Sequence, residues 1–178
     1  MTVEKETAIS FDKKNMASRC VGQVVLSILL ALFIEFAFAD MHDMVVSVIL
    51  TLVLFTTVSA LIFNSSKLFD NKPGLVITPS GIIDNTPGAS VGKIEWADIR
   101  RIYVSKNSSR FSTTPFLAID VQDPQKYLGR GNFLARTFRR LNYSLLRSPI
   151  FISDVSLQIS FDEMVKLVQH SYQTYGHA

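Results

Sequence analysis

The groups in this 178-residue chain that could do chemistry are scattered. Glu35, Asp40, His42 and Asp43 place three carboxylates and one imidazole in a short stretch. A structural metal site closes on a full ligand set at fixed spacing, rich in Cys and His. One imidazole without such spacing does not meet that need, so no metal is expected. The other histidines, His170 and His177, lie far along the chain. Cys20 is the only cysteine, which excludes an internal disulfide, and it reads as a small apolar residue at a helix start. No His-Glu-x-x-His, Gly-x-Ser-x-Gly, phosphate-loop or Cys-x-x-Cys pattern occurs, and Gly129-Arg130-Gly131 is too short to cradle a phosphate. These residues predict a protein without enzymatic activity or cofactor. The remaining chemistry is charge. Lys126, Arg130, Arg136, Arg139, Arg140 and Arg147 follow one another with no acid between Asp123 and Asp154.

The element that must position these cations is a helix over Asn132–Arg147. Phe133, Leu134, Phe138, Leu141 and Leu145 recur at helical spacing on one side. Arg136, Arg139, Arg140, Tyr143 and Arg147 recur on the other. A basic amphipathic helix can lie in a membrane interface, where anionic headgroups attract Lys and Arg. The same helix could instead pack its apolar side on a sheet and leave the arginines solvated, or present them to a protein partner. No nucleic-acid recognition module accompanies the charge, so nucleic acid is not an expected partner.

Two apolar runs, Val21–Phe38 and Met44–Phe63, dominate the first third of the chain, and Glu35 is the single charged residue in either. Each has close to the length of about 20 residues that crosses a bilayer's hydrocarbon core. They predict a transmembrane hairpin over residues 18–63, with spans of about 18–39 and 44–63. Ala37-Phe38-Ala39 resembles a signal-peptidase site, but the apolar run is long for a signal core and a second run follows at once. Lys13, Lys14 and Arg19 precede the first run, Lys67 and Lys72 follow the second, and the turn has no Lys or Arg. The positive-inside rule then places both termini in the cytoplasm. Ser27, Ala31, Glu35 and Ala39 share one helix face, and Ser47, Thr51 and Ser59 a similar stripe, which predicts that these stripes meet. Glu35 reads as an interfacial residue, a structural or oligomer contact, or a proton- or ion-handling group.

The charged fraction of 19% and the mean hydropathy of +0.25 reflect this hairpin. Residues 1–17 are expected to be a cytoplasmic tail, with a short helix at Ser10–Met16, and residues 64–74 a linker. From Leu75 the pattern turns to short strands: Leu75–Thr78, Ile82–Asp84, Val91–Glu95, Ile99–Ser105 and Phe116–Val121, then Ile150–Ser153 and Ser156–Ile159. Lys106–Thr114 reads as a polar loop. Ser160 with Glu163 makes a capping box for a closing helix from Phe161 to about Tyr172. The expected fold class is α+β: a helical hairpin, then an antiparallel barrel or sandwich over 75–178 with an inserted basic helix and a C-terminal helix. Trp96 reads as a core residue at a strand corner, and Asp98 as an acceptor of backbone N–H groups there.

Leu75-Val-Ile-Thr-Pro-Ser-Gly-Ile-Ile83 and Lys93-Ile-Glu-Trp-Ala-Asp-Ile99 together resemble the bacterial pleckstrin-homology-like domains. The chain as a whole resembles a family of uncharacterised two-span bacterial membrane proteins that carry such a domain, with Pro149–Ile152 matching its Pro-Ile-Phe-Ile strand. The resemblance implies a pleckstrin-homology-like fold in an inner-membrane protein. Relatives in eukaryotes bind inositol phosphates through a basic first hairpin loop, but Asn85–Gly92 holds no Lys or Arg. The sequence reading is therefore a binding protein whose partners are the lipid bilayer, anionic lipid headgroups, a protein partner or a second copy. Two further readings stay open: an immunity protein against a membrane-targeting toxin, and an oligomeric transport component built around Glu35.

Overall fold

The computed structural model describes residues 6–40, 44–87, 90–109, 112–131, 133–146 and 148–176, with no side-chain description at 36–40, 44, 106–109, 112–114, 134, 138, 145 and 146. The chain forms two units, Lys13–Asp70 and the combination of Met1–Asp12 with Asn71–Ala178. Its class is α+β, with two long apolar helices and two antiparallel sheets.

In the first unit, α1 spans Lys13–Asp40 and α2 spans Met44–Leu68. Neither contains proline, so each backbone ladder runs unbroken. At 1.5 Å per residue they are about 42 and 37 Å long. Both are long and apolar enough, by length and composition, to cross a membrane. Their hydroxyls bond back into the helix: Ser27 to the oxygen of Gln23, Thr51 to Ser47, Thr57 to Val53 and Ser59 to Phe55, all at 2.8 Å. This satisfies polar side chains without an outside partner.

Of the expected stripes, Ser27, Ser47 and Ser59 are turned inward, but Ala31, Glu35 and Thr51 are not. Gln23, Ser27, Leu30 and Ile34 are half-buried on the apolar part of α1, whereas Ala31 and Glu35 are exposed. On α2 the stripe runs through buried Ser47 and half-buried Leu50, Leu54, Thr57 and Leu61, while Thr51 is exposed. Asn64 donates to the Gln23 side-chain oxygen at 3.2 Å, and Cys20 Sγ lies 3.8 Å from Ser65 Oγ. Leucines at inward positions pack as well as small residues, and spacing alone could not choose between two adjacent stripes.

In the second unit, β1 (Thr7–Ile9), β2 (Leu75–Thr78), β3 (Gly81–Asp84) and β4 (Gly92–Glu95) form one sheet in that order. β5 (Ile99–Ser109), β6 (Ser112–Val121) and β7 (Ile150–Ile152) form the other. β1 lies within the stretch expected to be a tail, residues 1–17, of which residues 1–5 are outside the described set. Ile9 pairs with Leu75 and Thr7 with Ile77. Phe11 is buried and bridges to Leu157, with Asp12 N–H donating to Ser156 and Gln158 N–H to Ser10. Residues 7, 9 and 11 do alternate inward, but over so short a run the pattern is faint, and its partner follows two helices later. The expected helix at Ser10–Met16 begins only at Lys13.

Three other boundaries move. α2 runs on to Leu68, into the expected linker, because Asn64 and Ser65 are held by α1. The expected loop Lys106–Thr114 is largely strand, the far part of a long β5–β6 hairpin. Ser156–Ile159 forms only the bridge at Leu157.

Between the sheets, Trp96–Asp98 makes a tight helical corner. The Trp96 indole donates to the oxygen of Thr78 at 2.9 Å, and its ring lies 6.0 Å from that of Tyr172. α5, Phe161–Tyr175, starts at the Ser160–Glu163 capping box and buries Met164 and Val168 with Leu75, Ile82, Ile94, Leu117, Ile119, Ile150 and Ile152 in the apolar core. α3 (Pro124–Leu128) and α4 (Phe133–Leu146) connect β6 to β7.

Candidate functional site: the basic helix and its anchor

Asp123 caps α3 by accepting the Gln125 N–H at 2.9 Å, and Pro124 fits the first helical position. This short helix presents Lys126 and Tyr127 to the corner that holds Asp98. Asp98 Oδ2 accepts from Lys126 Nζ at 2.5 Å and from the Tyr127 hydroxyl at 2.5 Å, and Lys126 also reaches Glu95 at 3.3 Å. Asp98 thus takes side-chain donors, not the backbone N–H groups expected of it. Burial works against its charge, but the bonds from Lys126 and Tyr127 prevail and hold its carboxyl below the usual range. Burial and the Asp98 bond push the Tyr127 hydroxyl up to about 12, so it remains a donor. The Asp98 bond likewise raises Lys126.

Arg130 lies over the Tyr127 ring, 4.3 Å from its centre, and donates to the oxygens of Val91 at 3.2 Å and Lys93 at 2.5 Å. Those oxygens flank β4, a terminal strand of its sheet, so Arg130 covers part of an edge that another chain could otherwise pair with.

Arg139 departs furthest from the sequence reading. It was expected on a solvated face of α4 but is 1% exposed. Its guanidinium donates to the oxygen of Ala135 at 3.2 Å, to that of Tyr127 at 2.6 Å, and to that of Arg130. The last carbonyls of a helix lack partners within it, and α3 is too short to hide its own. Arg139 supplies a donor to that of Tyr127, alongside the Arg130 N–H, and to the oxygen of Arg130 just beyond the helix. Burial lowers its pKa, and the Asp84 carboxylate partly offsets that. Gly131 has φ +78°, and a Cβ there would stand 2.9 Å from Arg139 Nη2, so both backbone and space call for glycine.

With Arg139 and Ala135 inward and Asn142 and Tyr143 half-buried, α4 turns Phe133, Arg136, Thr137, Arg140, Leu141 and Ser144 outward. Phe133 is 72% exposed and Leu141 53%. Among the described side chains, the outer face therefore mixes Phe133 and Leu141 from the expected apolar side with Arg136 and Arg140 from the basic one. The side chains of Leu134, Phe138 and Leu145 are outside the described set, and so is Arg147. Of the six cations singled out in the sequence, Lys126, Arg130 and Arg139 are tied into the architecture, while Arg136 and Arg140 face outward. Tyr127 and Asp84 were missed. The available clue was Gly129-Arg-Gly131, a broken helix end whose carbonyls need donors.

Elsewhere, Glu35 is exposed on α1, away from its stripe with α2. His42 and Asp43 lie outside the described residues. Among the described residues no three His, Cys, Asp or Glu side chains gather as metal ligands. Among the described residues lie an open groove of about 300 Å³ beside Arg100, Arg101 and Asp120, and another of about 420 Å³ between Val104, Pro115 and the α5 residues Phe161 and Val165. In the first, Arg101 is already paired with Asp120 at 2.8 Å and lies over the Tyr103 ring. No family model, curated protein or solved structure matches this chain.

Proposed function

We propose that this chain is a non-enzymatic bacterial inner-membrane protein. Its two long helices cross the bilayer as a hairpin with both termini in the cytoplasm, and its β-rich unit is a pleckstrin-homology-like module that binds a partner at the membrane's cytoplasmic side. The observation that carries this reading is the surface of the hairpin. Val21, Leu29, Phe33, Val45, Phe55 and Ile62 each expose more than half of their surface. Continuous apolar surface on this scale is unfavourable in water, at about 25 cal/mol per Å², and natural in lipid. The basic residues at both outer ends and the lysine-free turn support the orientation. Four strands in one antiparallel sheet, three in a second and a closing helix against the Trp96 corner support the pleckstrin-homology-like reading. Binding is favoured over chemistry because Lys126, Asp98, Tyr127, Arg130 and Arg139 are committed to one another and to the backbone.

The test uses the full chain with Cys20→Ser. A cysteine replacing Met41 should react with a membrane-impermeant maleimide in intact spheroplasts, and one replacing Lys166 only after lysis. The reverse pattern, or release of the protein by carbonate, overturns the anchor. A photoreactive residue replacing Arg140 should give lipid or protein adducts in living cells. Adducts no more abundant than from Gln169 would overturn the binding role.

A further inference from the structure

Resting on that reading, we infer that the outer face of α4 is a docking surface for anionic phospholipid headgroups, with Phe133 and Leu141 entering the acyl boundary and Arg136 and Arg140 at the phosphates. Three observations carry it. The two apolar side chains are too exposed to serve the core, at 72% and 53%. The two arginines share their face, and no ion pair or hydrogen bond to either guanidinium is seen among the described residues. No acid occurs from residue 124 to 153, so the face complements a negative surface and not a positive one. An interfacial helix needs this combination of aromatic or aliphatic side chains beside cations. Burial of Arg139 makes the face rigid: two main-chain acceptors outside α4, the oxygens of Tyr127 and Arg130, fix the helix's rotation about its own axis, so Arg136 and Arg140 cannot roll inward. The bilayer is also supplied within the same polypeptide, because only residues 69–74 separate the end of α2 from β2. At no more than about 3.5 Å per residue that connection is short.

The experiment uses the full chain with Cys20→Ser and Thr137→Cys, labelled with an environment-sensitive fluorophore. It is reconstituted in vesicles of phosphatidylcholine alone, or of equal parts phosphatidylcholine and phosphatidylglycerol, with brominated acyl chains as quencher. Docking predicts quenching in the anionic vesicles and little in the neutral ones. Arg136→Glu with Arg140→Glu should cut the docked fraction roughly ten-fold, and Phe133→Ser with Leu141→Ser should abolish quenching at either composition. Unchanged Trp96 emission certifies the fold of each variant. Equal quenching in both vesicle types, or none in either, overturns the inference while leaving the anchor intact. Failure of the chain to reconstitute at all overturns the anchor. A label that is shielded in native membrane vesicles but solvent-exposed in pure lipid assigns the face to a protein partner and also overturns it.

Discussion

The guanidinium of Arg139 donates to the main-chain oxygen of Tyr127 across 2.6 Å, inside the domain and not on its surface. An arginine in the middle of a basic helix thus joins the end of one helix to the face of the next. The planar fork matters here, because one side chain meets three oxygens that no single ammonium could reach together.

Replacing Arg139 with methionine should therefore destabilise the second unit by about 1–3 kcal/mol, since the carbonyl of Arg130 loses this donor and that of Tyr127 keeps the Arg130 N–H. Arg139→Lys should recover only part of this. Arg136→Met and Arg140→Met should each change stability by less than about 0.5 kcal/mol, as outward positions do. Urea denaturation of the detergent-solubilised chain, followed through Trp96, ranks the four. Equal losses in the methionine variants at all three positions would contradict the burial assignment.

The Asp98 cluster predicts a pH dependence at both ends. The Asp98 carboxyl lies below its ordinary 3.8 in the folded state, so its contribution is present above that value and lost as the pH falls through the lower folded value. Tyr127 is raised from 10.0 to about 12, so its contribution is complete below pH 10 and lost as the pH rises towards 12. Asp98→Asn should flatten the acid limb relative to wild type. Tyr127→Phe should flatten the alkaline limb, at a cost near neutrality of about 1 kcal/mol. Midpoint denaturant concentrations measured across pH test both, and an acid limb identical in Asp98→Asn and wild type would remove Asp98 from the account.

In the hairpin, Asn64 and Gln23 share a hydrogen bond at 3.2 Å. Interhelical bonds of this kind are worth about 0.6 kcal/mol in membrane proteins. A double-mutant cycle over Gln23→Leu and Asn64→Leu should return a coupling of that order. Zero coupling would mean the contact is not maintained.

How much was legible in the sequence varies with the range of the interaction. Runs such as Val21–Phe38 carry their length and apolarity in themselves, and Ser160–Glu163 writes its cap in adjacent residues. Trp96 was legible as a corner residue because Ile94, Asp98 and Ile99 flank it in the sequence. Phe11 was not, because its bridge partner Leu157 comes from the other end of the chain. Arg139 was read to the wrong side of α4 for a related reason. Periodicity assigns charge to solvent by default, and only the three-dimensional meeting of α3's open carbonyls with α4 reverses that. In the hairpin Ser27, Ser47 and Ser59 were read to the inward side correctly, but Leu30, Ile34 and Leu50 take the inward places expected for Ala31, Glu35 and Thr51, a distinction that Ser and Ala spacing does not encode.

The pairing of Ile9 with Leu75 has a consequence for synthesis. β1 leaves the ribosome before either long helix exists, and its neighbour in the sheet is translated only after both are complete. The first sheet therefore cannot close until the chain has passed through its most apolar third. A fragment beginning at Leu75 would carry β2 with a bare edge of Leu75, Val76 and Ile77, an invitation to aggregate. The two long helices are thus an insertion within the sequence of the β-rich unit, and the birth order of the chain puts both of them before completion of the first sheet.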